Sequence, residues 1–564
     1  VSRLAARDAE FAALKQRFFD SWVEAEPEEA STMGLADPFG RLRDPSITAA
    51  TKRGRAAAAV LSKLAALEAE GPLDREQHLD AWALRAHARE TVLAADRGRA
   101  AVSLEEVPYA IMMLAHAAAH VNDEVSRRTV TGRVSALPAF VDAAREALRT
   151  GVREGRAFST AVVEVVAQQL ATAEADLLAI VSTAFEHAPH HAEVAVSAAA
   201  AAKEVATFVA FLREEVAPSS GARDVVALGE REYERRLSDW WGLSGIGPLQ
   251  QGAEAELADA RTQMTELAAQ LATTIPGAPA SVRSFGDATA TVMALLKPTA
   301  ASADGIIPLY QAAIARAQDF CRERGTFTIP DPCQCEVRPS PELWRKFSAC
   351  TNWPAPLFGG DAPGACAVLL DPALHPLANV QSLSVHEAVP GHFLQSRAWQ
   401  LRFGKSLAPV RLLSVPDECG VLRDAWIPQL MIEGWAVYAE SEMQRAGFYR
   451  PVEQLFHFFC RAIHAARALA DVGLHAQGWT RARVADFLVA STGMPLPWAE
   501  RQAVRYARSG LQALSYLQGQ LEIEAVRSAH KAAHGERFAD ARFQAELLGA
   551  GPVPPSKIEP MVLT

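Results

Sequence analysis

The sequence is poor in cysteine, has no excess of positive charge and contains no unbroken apolar run of membrane-spanning length. Seven cysteines in 564 residues, all between Cys321 and Cys460, are too sparse and odd in number for the disulfide framework of a small secreted domain. Reduced thiols are expected. Lys plus Arg number 56 against 66 Asp plus Glu, a net charge of -10, which is the wrong sign for a surface that grips nucleic-acid phosphate. No nucleic-acid partner is expected. The most apolar stretch, Ala192 to Leu212, is broken by Glu193, Lys203 and Glu204 and falls short of the roughly 20 apolar residues of a bilayer span. No membrane partner is expected either. The start, Val1 to Asp20, alternates charged and apolar residues at helical spacing and lacks the apolar stretch of a signal peptide, so a cytoplasmic protein is expected.

What is present is a globular composition, 49% hydrophobic and 22% charged, on a chain long enough for a large core and more than one lobe. From Arg3 to about Val216 the sequence is Ala-, Leu- and Glu-rich, with apolar residues three and four apart and breaks at Asp37-Pro38-Phe39-Gly40 and Ala188-Pro189. This predicts a helical lobe over residues 1–220, ended by an Ala217-Pro218-Ser219-Ser220-Gly221 linker. Residues 221–564 form the second lobe, with helices from Glu230 through Arg316 and no fixed repeat period. Between Thr326 and Pro372 the texture changes, and Thr326-Phe327-Thr328-Ile329 and Cys366 to Leu370 read as strands of a small antiparallel element. Further helices are predicted at Val380 to Arg402, Pro428 to Gly447, Pro451 to His475, Thr480 to Thr492 and Pro497 to His534. The fold class is mainly α.

The motif that carries chemistry is His386-Glu387-Ala388-Val389-Pro390-Gly391-His392. A His-Glu pair on an apolar helix begins the zincin pattern, in which two histidines bind Zn²⁺ and the Glu beside the first is the base for water. In the standard form the second His follows four residues on, about 40° around the helix and about 6 Å along it. Here that place is Pro390. His392 comes six residues on, about 120° away on a regular helix, and shares a metal with His386 only if the helix unwinds locally. Pro390 and Gly391 supply that unwinding, since proline removes an amide donor and glycine tolerates a bulge.

About forty residues later, Glu433-Gly434-Trp435-Ala436-Val437-Tyr438-Ala439-Glu440 places two carboxylates seven apart, about 20° apart around a helix and on one face. Either completes a His-His-Glu zinc site. The helix Pro451 to His475 carries His464, Arg467, Asp471 and His475 at offsets of three, four and four, a polar stripe that is either solvated or packed against the metal helices.

Ser384 to Gln395, Glu433 to Glu440, Asp471-Val472-Gly473-Leu474-His475 with Gly478-Trp479, then Arg505-Tyr506 with Gln512-Ala513-Leu514-Ser515-Tyr516 and Gly519, occur in the order of one family pattern. In these segments the chain resembles the bacterial family called domain of unknown function 885, strongly over about Gly229 to Pro554 and weakly over the first lobe. Two positions depart from the family pattern. Phe393 stands where members often have a second His, and Ser509-Gly510-Leu511 stands where they commonly have Pro. The family is similar to helical gluzincin-type zinc metallopeptidases, so the resemblance implies a two-lobed zincin-like fold and one Zn²⁺ per chain. It also implies that Glu433 is the third ligand beside His386 and His392, leaving Glu440 for a hydrogen bond to a ligand imidazole.

On that basis zinc leaves one position for water, and Glu387 accepts the proton and passes it to the leaving amine of a short peptide or related amide. Tyr506 and Tyr516 are candidates to stabilise the oxyanion, Arg505 to hold a substrate carboxylate, and Asp471 and His475 to orient a ligand. A strand between Thr326 and Leu370 is a candidate to pair with an extended substrate by its edge. The alternatives are a zinc hydrolase or lyase acting on a small non-peptide metabolite, and a non-catalytic binding protein. Three other groups read as structural: Cys333 with Cys335 as a reduced turn, His116 with His120 as helix surface or a lobe contact, and His187, His190 and His191 as an exposed helix break.

Overall fold

The computed structural model describes residues 3–562 except 38, 97–102, 157, 187–189, 220–226, 297–301, 332, 347, 359, 361 and 414–427. Pro38, His187, Ala188, Pro189, Ser220 and Gly221 therefore lie outside the described residues. Helices dominate, and the strands form a single three-stranded sheet among the described residues. The first core is built by the helices Glu124–Arg153, Ala173–Phe185 and His191–Phe211, where Val134, Leu148, Leu177, Val205 and Phe208 are buried in one cluster. Local chemistry sets these helices: Asp123 opens Glu124–Arg153 with a reciprocal capping box through Ser126, and Ser159 caps Thr160–Leu170.

By length and composition alone the segment His191–Ser219 is apolar enough to cross a membrane. Its Val194, Ala198, Ala201 and Val205 face is buried in that first core. The described part of the expected linker is not irregular. Ala217–Ser219 is helical and continues the π-helical turn Leu212–Val216, because fully buried Leu212 and Val216 hold the segment in place.

The sheet comprises β1 (Glu336–Pro339), β2 (Cys350–Trp353) and β3 (Ala365–Val368) in the order β1-β3-β2. β2 pairs antiparallel with β3 but β1 pairs parallel with it, so the element is mixed and not purely antiparallel. Thr326 to Ile329 is not a strand. Phe327 is buried against Trp435 and Tyr438, so its apolar character reflects core packing and not pairing.

The remaining helices that build the site are α1 (Leu377–Leu383), α2 (His392–Phe403), α3 (Gln429–Arg445), α4 (Pro451–His475), α5 (Leu496–Arg508) and α6 (Gln512–His534). Pro451 opens α4 where its missing N–H costs nothing, and Glu453 accepts from the Arg450 N–H. Both Glu453 oxygens also accept from Arg316, whose fork reaches Gln381 of α1 and the Phe448 carbonyl. One guanidinium thus fixes α1 against the start of α4.

The helix expected through Pro497 to His534 is two, broken at Ser509–Leu511, where Leu511 has φ +78°. Asp471 accepts from the Leu511 N–H at 3.0 Å and from Tyr233 Oη at 2.7 Å, while His475 Nε2 bonds the Tyr506 carbonyl at 2.9 Å. A left-handed leucine is held by these contacts from α4. Helices α3 and α6 cross at Gly434 and Gly519, where a Cβ on Gly519 would meet the Leu430 carbonyl oxygen at 2.0 Å and the Gly434 Cα at 2.7 Å.

Candidate metal centre

The helix carrying the His-Glu motif does break where Pro390 predicts. After α1 the chain makes a π-helical turn over Ser384–Ala388, passes a cis Val389-Pro390 bond and restarts as α2 at His392. The Gly391 N–H donates to the Val385 carbonyl, and a Cβ at Gly391 would sit 1.9 Å from the His386 carbonyl oxygen. Only glycine fits that turn. The carbonyls of Pro390 and Gly391, the latter also accepting from the Gln395 N–H at the start of α2, both accept from the Trp435 Nε1–H at 3.1 and 3.2 Å. Trp435 of α3 is thus the partner of the break, and its place two residues after Glu433 ties the two motifs together.

The break turns the His386 and His392 rings toward each other, with centroids 4.8 Å apart at 86°. Glu433 of α3 reaches the same point: its Oε2 lies 3.5 Å from His386 Nε2 and 3.6 Å from His392 Nε2. These ligand atoms all fall within 4.8 Å of one another, and the three side chains are 11–14% exposed. The separations are long for hydrogen bonds, and Glu433 Oε2 and His392 Nδ1 are buried without a hydrogen-bond partner. They are what a shared tetrahedral ion requires, since ligands at about 2.0–2.2 Å from zinc stand roughly 3.4 Å apart. The donor set fits a zinc ion.

Glu440, two turns along α3, accepts from His386 Nδ1 at 2.6 Å. That bond puts the His386 proton on Nδ1 and leaves the Nε2 lone pair for the cluster. Burial pushes the Glu440 carboxyl up, but the hydrogen bond from His386 and the nearby His457 imidazole outweigh it and hold the group well below the usual carboxylate range. Ser382 and His457 flank its other oxygen at 3.4 and 3.7 Å. Glu387 is not one of the converging ligands. One of its oxygens accepts from the Asn352 N–H of β2 at 2.9 Å, which fixes it beside the cluster. Burial pushes its carboxyl above the usual range; His386 and His392 pull it down, and the Glu433 charge adds to the rise.

The cluster opens into a cavity of about 1410 Å³ whose walls include Glu29, Met33 and Gln169 from the first 220 residues and Tyr516 of α6. Tyr516 stacks on His386, with centroids 6.2 Å apart at 16°, and its hydroxyl accepts from Arg505 at 3.3 Å and Gln512 at 3.1 Å. Tyr506 is elsewhere. Its side chain is 1% exposed in the core, its hydroxyl has no partner, and it does not line the cavity that Tyr516 lines.

Asp471 and His475 are likewise displaced from the ligand-orienting role expected of them. They bond Tyr233, Leu511 and Tyr506, and so brace the break that presents Arg505, Gln512 and Tyr516. The stripe on α4 is buried and not solvated, yet it serves two neighbourhoods, because His464 and His475 share a face while standing about 16 Å apart along the axis. His464 and Arg467 line the cavity.

The other groups fall outside the site. His116 and His120 pack on the sheet, their rings 5.5 and 4.9 Å from Trp353 of β2. His190 is exposed beside Glu193. Cys333 and Cys335 are free thiols. Asn352, Trp435, His457 and Ser382 are site residues that sequence reasoning missed. The Glu433-Gly434-Trp435 spacing carried a signal for Trp435, and the seven-residue step from His457 to His464 carried one for His457; Asn352 and Ser382 had none.

Solved structures share this fold, two of them over nearly the whole chain. A "putative lipoprotein" from Colwellia psychrerythraea superposes with a TM-score of 0.78 at 18% identity, covering 99% of this chain and 98% of that one. A "putative lipoprotein of unknown function" from Shewanella oneidensis gives 0.71 at 20% identity, covering 98% and 100%. None of the curated proteins matches the chain. The family model described as "Bacterial protein of unknown function (DUF885)" matches residues 27–562, taking in most of the first lobe as well as the second, and the chain therefore belongs to the DUF885 family.

Proposed function

We propose that this protein is a zinc-dependent metallohydrolase of gluzincin type that cleaves short peptides. The observation that carries the reading is the convergence of His386 Nε2, His392 Nε2 and Glu433 Oε2 at spacings suited to one ion, with Glu440 fixing the His386 tautomer. A zinc ion held there supplies Lewis acidity, which activates water and polarises a carbonyl. Glu387 takes the proton of the attacking water and delivers it to the leaving amine; its burial makes it a stronger base than an exposed carboxylate. Tyr516 faces the cavity beside His386 and donates to the developing oxyanion.

β2 is an outer strand whose Thr351 and Asn352 line the cavity, which supports backbone pairing with an extended substrate. The cavity, about 1410 Å³, suits a short peptide and not a folded chain. The lipoprotein descriptions of both structural neighbours favour a location outside the cytoplasm over the one expected from residues 1–20, and fractionation of the native host tests this.

The deciding experiment is zinc stoichiometry with di- and tripeptide turnover in two variants. Glu387→Gln is expected to keep about one zinc and its fold while turnover falls roughly 10²- to 10⁴-fold. Glu433→Ala is expected to lose zinc, because two imidazoles hold it poorly. Zinc lost from Glu387→Gln and kept in Glu433→Ala would exchange the two roles; metal without turnover on any peptide would sink the peptidase reading.

A further inference from the structure

Five arginines line the cavity; Arg501 is exposed to solvent, and two of the other four have carboxylate partners. Arg508 is clamped by Glu105 at 2.7 and 2.9 Å, and Arg345 by Glu342 and by Asp371 at 2.6 Å. Arg467 and Arg505 differ. Arg505 contacts only neutral oxygens, Gln512 Oε1 at 3.5 Å and the Tyr516 hydroxyl at 3.3 Å. Arg467 is 7% exposed, its Nε is buried without a partner, and its guanidinium carbon lies 3.4 Å from the centre of the Tyr516 ring. Two guanidiniums, one of them nine-tenths buried, thus face one cavity without an anion. A buried cation without a counter-charge is costly, and a substrate anion is what satisfies it.

The place of this pair defines the anion. Tyr516 stacks on the ligand His386 and carries Arg467 on its ring and Arg505 on its hydroxyl, so a single aromatic residue separates the cations from the metal cluster. We propose that Arg467 and Arg505 bind the free C-terminal carboxylate of the substrate, making the enzyme an exopeptidase that acts at the C-terminus. This rests on the peptidase reading above. Water adds to the carbonyl of the amide bond next to the terminal unit, the C–N bond breaks, and the amine leaves with the proton. Arg is the residue suited to this because its planar fork takes both carboxylate oxygens.

The test uses the zinc-loaded Glu387→Gln protein, whose turnover is expected to be slow enough for binding to be read, and an N-acetyl tripeptide offered as its C-terminal acid or its C-terminal amide. Calorimetry is expected to show the acid binding roughly 10- to 100-fold more tightly, the strength of a charge-assisted bidentate pair. Arg467→Gln or Arg505→Gln in that background is expected to erase the difference, and Arg467→Lys to keep part of it. Zinc content and thermal unfolding check that the variants fold; the acid-against-amide comparison needs no arginine variant at all. Equal binding of acid and amide overturns the proposal, as does displacement of the peptide acid by inorganic phosphate at lower concentration than by acetate. Cleavage of both acid and amide by the unmutated protein at equal rates leaves the peptidase reading standing and removes this one. Acid-selective binding with no cleavage of any peptide does the reverse.

Discussion

Gly519→Ala tests whether the crossing of α3 and α6 sets the geometry of the site. The new Cβ would stand 2.0 Å from the Leu430 carbonyl oxygen and 2.7 Å from the Gly434 Cα, both backbone atoms that no rotamer change moves aside. Ordinary contact needs a little over 3 Å, so the helices must part by about 1 Å, and a close-packed interior transmits that shift. α3 carries Glu433 next to Gly434, and α6 carries Tyr516 one turn before Gly519. Overpacking of this kind costs about 1–3 kcal/mol. A displacement of about 1 Å at a catalytic constellation costs about 10²-fold in rate. The expected result is a lower urea midpoint, weaker zinc binding in chelator competition and depressed peptide turnover. Gly247→Ala is the control, because a Cβ there meets nothing within 4 Å, and it is expected to be neutral or stabilising by up to about 1 kcal/mol. A Gly519→Ala protein with the parent's urea midpoint and zinc affinity would refute the reasoning.

Glu440→Gln removes the carboxylate that holds the His386 proton at Nδ1, so zinc affinity is expected to drop by about 10- to 100-fold while the ligand set stays complete; unchanged affinity would show that Glu440 does not orient the ligand. Burial lowers the His87 imidazole to about 4, against the backbone bond to Leu413 that pulls the other way. The unfolded chain then binds a proton from about pH 6.5 downward while the folded chain does not until about pH 4. His87 therefore withdraws stability as pH falls through that window, by about 3 kcal/mol at most. Urea titrations at pH 7 and pH 4.5 are expected to lie closer together in His87→Gln than in the parent.

Much of this protein is legible along the chain. The spacing of apolar residues determines the helices, and α4 runs over Pro451–His475 as read, because Pro451 and the apolar stripe are local signals. The break at Pro390 and Gly391 is also local, since a ring without an N–H and a residue without a Cβ act within one turn. So is the pairing of Glu433 with Glu440 on one face. What needed the tertiary structure is whatever depends on another element. Periodicity gives a face but not a depth, so His464 and Asp471 look equivalent in sequence while one meets the cavity and the other braces Leu511. Tyr506 and Tyr516 are separated in place by the turn at Leu511, which no spacing rule foretells in a non-glycine residue. Alternation does not report strand direction, hence the parallel β1. The anchoring of Glu387 by Asn352 and of the broken helix by Trp435 joins segments 35 and 45 residues apart, and such bonds are chosen by packing and not by neighbours in the chain.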